Sequence, residues 1–121
     1  MKLSYVIDRF ALISGIEGEE LSKWIPVCTE SMEEVRAMAR EDSLNNESSA
    51  KRLSALAGVL AYYKFTLYAG ENLKSITAGT VSITNFQEAR VRAKELFERE
   101  KSELSPLLDA SKDFCFKRVR A

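Results

Sequence analysis

Apolar positions recur at intervals of three and four along most of this chain, and each such run predicts a helix. Leu3, Val6, Ile7, Phe10 and Ile13 predict a first helix over about residues 3–14, stopped by Gly15. After a Gly15–Gly18 turn, Leu21, Ile25, Cys28, Met32, Val35 and Met38 form a second stripe, with Trp24 beside it. Pro26 lies inside that stripe. It lacks a backbone donor and clashes with the preceding turn, so a kink or break is expected there, and Ser31 with Glu34 has capping-box spacing for a restart. Glu41 to Ser49 is polar and aperiodic, which predicts a loop. The strongest helix follows over about residues 47–69, where Leu53, Leu56, Leu60, Tyr63 and Leu67 keep the rhythm. Ala57, Val59, Ala61, Tyr62 and Phe65 widen its apolar surface, which predicts burial by several neighbours. Gly58 within it costs about 1 kcal/mol relative to alanine unless something packs closely there. Gly70 is the expected stop. Asn85 with Glu88 opens a last helix to about residue 104, with Phe86, Ala89, Ala93, Leu96 and Phe97 facing inward. Pro106 either closes that helix or starts one more turn through Leu107 and Leu108.

Between the last two long helices the period changes from helical to two. Lys74 to Ile83 reads Lys-Ser-Ile-Thr-Ala-Gly-Thr-Val-Ser-Ile. Folded about Ala78-Gly79, it places Ile76 opposite Val81, with Ile83 on the same side and Ser75, Thr77, Thr80 and Ser82 on the other. Gly79 supplies the positive φ that a tight turn needs. A two-stranded hairpin is marginal alone, so this one is expected to lie on its own helices or to add to another chain. The fold class expected is mainly α: one domain over residues 1–121, a small bundle of four to five helices with one β-hairpin (about residues 74–83) before the last long helix. Beyond it, residues 109–121 form a short irregular or strand-like tail, whose weak alternation over Phe114 to Arg120 suits pairing with the hairpin.

Composition narrows the function more by exclusion than by assignment. Eighteen basic and eighteen acidic residues cancel, so no global field favours nucleic acid, membrane or acidic ligands. The absence of histidine removes the usual general base and the commonest metal ligand. Cys28 and Cys115 are isolated thiols, expected to be reduced, partly buried packing residues in a cytosolic protein. No phosphate-binding glycine loop or nucleophile elbow is present, and Asp109 and Asp113 around Lys112 suit turns better than catalysis. The expectation is therefore a protein that is not an enzyme and uses no cofactor or metal.

Tyr62, Tyr63, Phe65 and Tyr68 crowd one end of the core helix and read as core, with their hydroxyl groups near the surface. Trp24 either packs between the first two helices or is carried outward by the kink as an assembly anchor. Lys117, Arg118 and Arg120 make a basic terminus suited to a phosphate or partner contact, or simply to a solvated surface.

An amino-terminal helical pair, a polar loop, an apolar helix carrying Tyr62-Tyr63, a glycine stop, a Ser-Ile-x-x-Gly-x-x-Ser segment (Ser75, Ile76, Gly79, Ser82) and an amphipathic last helix form one order. This order resembles the head–tail connector (head-completion or adaptor) proteins of tailed bacteriophages and prophages. Thr80 stands where that family usually has an acidic residue, and the chain beyond Pro106 departs from the family pattern. The resemblance implies a structural virion protein, made in the host cytoplasm, that forms a ring by self-association and joins portal to tail-completion proteins. The hairpin reading is compatible with this: Ile76, Val81 and Ile83 are expected to contribute to packing or to the neighbour contact, with Gly79 setting the turn, and in a ring Lys117, Arg118 and Arg120 would face DNA or an adjoining protein. Two other readings stand beside it: a small cytosolic helical regulator that binds a partner protein, and a DNA-binding module.

Overall fold

A computed structural model describes residues 1–71 and 83–109, and it is helical almost throughout. Among the described residues six α-helices follow in order: α1 (Leu3–Ser14), α2 (Glu19–Lys23), α3 (Ile25–Met38), α4 (Glu41–Leu44), α5 (Glu47–Glu71) and α6 (Ile83–Glu103). A 3-10 turn, Ser105–Leu107, is the last of the described elements. Four of the helices are long, and α2 and α4 are short connectors. No strand occurs among the described residues, whose only β-type pairing is an isolated bridge between Ala39 and Leu108.

The centre of the molecule is α5. Its 25 residues span about 37 Å at the α-helical rise. Leu56 to Ala61 are all buried, so more than one full turn is covered on every side. The covering comes from α1, α3 and α6. α1 runs parallel to α5: the Lys2 backbone N–H donates to Ser54 Oγ, Val6 and Arg9 lie at Gly58, and Phe10 meets Phe65. α6 runs the opposite way, with Arg92 beside Tyr62 and Leu104 near Arg52 and Ala55. α3 also returns along α5, from Trp24 at Phe65 back toward the short α4 that leads into the α5 start. Val6, Phe10, Cys28, Val35, Leu53, Leu56, Leu60 and Phe97 are fully or almost fully buried and form one continuous core.

Several sequence expectations need correction. The second stripe does divide near Pro26, but the break falls at Trp24 and Pro26 sits in the first turn of α3, where a missing donor costs nothing. Ser31 is therefore no cap; it is buried in the middle of α3 with its hydroxyl unbonded among the described residues. Glu41 to Ser49 is no plain loop, since α4 occupies its start and Asn46 Oδ1 accepts from the Ser49 N–H as α5 begins. Gly70 does not stop α5, which continues through Glu71. Ile83, assigned to the hairpin, instead opens α6, because helical bonding begins two residues ahead of the Asn85 capping signal. The rest of the expected hairpin lies outside the described residues, as does the tail beyond Asp109.

Candidate functional site

Because α5 and α6 are antiparallel, Glu71 and Ile83 close the same end of the bundle. That end is built around the Phe65 ring. Tyr62 and Phe65, three apart on α5, share one face and stack with centroids 6.1 Å apart. Trp24, carried by the α2–α3 junction, sets its ring edge to Phe65 at 4.7 Å and 83°. Phe10 of α1 does the same at 5.9 Å and 80°. Edge-to-face rings at these spacings gain electrostatically beyond the area they bury. Burial raises the Tyr62 phenol above its ordinary pKa, with the Arg92 guanidinium pulling partly the other way. Tyr68, one turn beyond, is exposed.

Beneath the rings lies a charge cluster that the amino-acid pattern does not disclose. Lys64 is buried on α5, with its side chain 9% exposed. Its ammonium donates to Glu30 Oε1 at 2.5 Å and stands 2.6 Å from Glu34 Oε2, both on α3. The Glu34 contact is off the hydrogen-bonding direction and acts as an ion pair, while the Glu30 contact is aligned. A lysine in a helix this apolar reads as a surface residue; only the α3 carboxylates make its burial tolerable. A second cross-helix pair, Arg9 Nη2 to Glu100 Oε2 at 2.8 Å, ties α1 to α6.

Cys28 is buried and free, and desolvation pushes its thiol up to about 11, so at neutral pH it is a packing group rather than a nucleophile. The chemistry gathered at this end is aromatic contact and paired charge.

Of the residues singled out from the sequence, Trp24 is half-buried against Phe65 and Ile83 begins α6. Ile76, Gly79 and Val81 lie outside the described residues, as do Lys117, Arg118 and Arg120. Lys64 with Glu30 and Glu34 was missed, and so was the bridge that joins Ala39 to Leu108. A lone cation inside an otherwise apolar helical run is the one signal that points toward Lys64. No helix among the described residues is long and apolar enough to cross a membrane. Compared with known proteins, the chain matches no family model, no curated protein and no solved structure.

Proposed function

We propose that this protein is a structural assembly subunit, a head–tail connector (adaptor) that joins a phage or prophage portal to tail-completion proteins through protein–protein contacts. The observation that supports the reading is where residues 72–82 are anchored. Two long antiparallel helices hold both ends of that segment at one end of the bundle, beside the Phe65 ring cluster. A segment of alternating apolar and hydroxyl residues fixed at both ends loses less entropy on binding than a free one. Its alternation suits strand addition to a neighbouring subunit, and contacts of that head-to-tail kind close into rings. In this reading Ile76, Val81 and Ile83 contribute to packing or to the neighbour contact, Gly79 sets the turn, and Trp24 supports the cluster beside them. Lys117, Arg118 and Arg120 meet DNA or an adjoining protein.

The test is co-expression with the products of the genes flanking its own, followed by affinity purification and electron microscopy. A ring of this chain on a portal oligomer is expected, and Val81→Asp should abolish it while the helical circular dichroism is kept. A gene remote from capsid and portal genes, or no complex with their products, would overturn the reading.

A further inference from the structure

At the opposite end of α5, where α1 begins, a pocket of 210 Å³ opens between α1, α4 and α5. Its walls are mainly apolar, from Met1, Tyr5, Leu44 and Ala50, and Lys2 and Lys51 border it. The two ammonium groups stand over one ring: Lys2 Nζ lies 5.7 Å and Lys51 Nζ 5.4 Å from the Tyr5 centroid. Each is attracted to the ring face, yet together they repel one another. Neither takes part in an ion pair among the described residues, although Glu47 also borders the pocket one turn before Lys51. The site is thus an apolar recess with two unneutralised cations at its edge. It is also preformed. The Lys2 backbone N–H donates to Ser54 Oγ at 3.3 Å, and the Ser54 hydroxyl donates to the Ala50 carbonyl at 2.9 Å, so the start of α1 is tied to the α5 wall.

We propose that this pocket receives one aliphatic side chain from an acidic segment of a partner protein, with carboxylates on either side of that side chain pairing with Lys2 and Lys51. Size supports a single side chain, since pockets for small-molecule ligands usually run from about 300 to 1,000 Å³. Charge supports an acidic segment, because two ammonium groups beside one ring, with Glu47 the one carboxylate in the lining, favour an anionic neighbour. The apolar walls separate this partner from a bare phosphate or a nucleic-acid backbone, which would leave Leu44 and Ala50 unused. The proposal does not depend on the connector reading. It concerns the end of α5 away from residues 72–82 and names a second, independent docking point.

Titration of the ¹⁵N-labelled full chain with an acetylated, amidated Gly-Glu-Leu-Glu-Gly peptide tests it. Saturable shifts at the Tyr5, Ala50 and Lys51 amides are expected in the millimolar range or below. A Gln-for-Glu peptide and the K2E/K51E variant should each bind at least about tenfold more weakly, through loss of the charge-assisted contacts. Circular dichroism of that variant should be unchanged, because both lysines are exposed. A Gly-Glu-Ala-Glu-Gly peptide should also bind more weakly. No saturation at millimolar peptide, equal binding of the Gln peptide, or equal binding of the Ala peptide would overturn the proposal. Competition by inorganic phosphate at matched ionic strength as strong as by the peptide would overturn it as well.

Discussion

Gly58 on α5 touches Arg9 on α1 so closely that a Cβ at 58 would stand 2.5 Å from the Arg9 Cβ and 2.9 Å from the Val6 carbonyl oxygen. The closeness explains a glycine in the middle of a buried helix. Gly58→Ala should therefore destabilise the fold, against the usual gain of about 1 kcal/mol for that exchange in a helix. Overpacking of this kind costs about 1–3 kcal/mol, so a net loss of up to about 2 kcal/mol is expected. The midpoint of urea unfolding reads it directly, and a rise in that midpoint would show that α1 stands off from α5.

Lys64 makes a different prediction, because a buried ion pair is a poor source of stability but a serious liability when broken. Replacing the whole cluster, as in K64M/E30Q/E34Q, should leave the unfolding free energy within about 1 kcal/mol of its starting value. The double change E30Q/E34Q strands the ammonium between α3 and α5 and should cost about 2–3 kcal/mol, since one side of the pair is partly solvated. Of the single changes, Glu34→Gln should cost more than Glu30→Gln, as Glu34 is the less exposed of the two. The reverse order would mean that the aligned Glu30 bond carries the cluster.

Beyond α6 the chain turns back and is pinned to the end of α3. The Arg40 N–H donates to the Leu107 carbonyl at 3.0 Å, and the Asp109 N–H donates to the Met38 carbonyl at 2.8 Å. Asp109→Pro removes that second donor, and Leu108 already has the extended backbone a following proline requires. It should cost about 1–3 kcal/mol, the penalty for an unsatisfied backbone acceptor, relative to an Asp109→Ala control that also lacks the carboxylate. Faster hydrogen exchange at the Arg40 amide should accompany it; unchanged exchange would show that the bridge opens freely.

Cys28 supplies the pH dependence. Its thiol titrates near 11 in the fold, against an ordinary value of 9.0. The native state therefore holds its proton more tightly than the unfolded state does. This contribution is fully present below pH 9.0 and is lost as pH rises through about 11. The loss is of order 1–3 kcal/mol. In a Cys115→Ser background, Cys28→Ala should flatten this alkaline decline, as measured by chemical denaturation across the range. The native protein of that background should react with thiol reagents at pH 8 only as fast as it unfolds.

What the order of residues determined was the long helices, which depend on local period, and the stop of the first of them. α1 ends at Gly15, whose φ of +76° is open to glycine at little cost, and α5 and α6 follow from stripes long enough to be unambiguous. The aromatic crowding of Tyr62 and Phe65 and the need for a close neighbour at Gly58 could also be read in advance, since both leave marks within one helix, whereas the identity of that neighbour, α1, could not. The tertiary structure alone decided the partners across helices. That Trp24 rests on Phe65, that Glu30 and Glu34 make room for Lys64, and that Leu108 closes on Ala39 are contacts between residues up to 69 positions apart. The period of a helix shows which face must be covered, but not which neighbour covers it. It cannot show a cation neutralised from another helix, nor a proline moved from the middle of a stripe to the first turn of α3, because burial and pairing arise only when the helices pack.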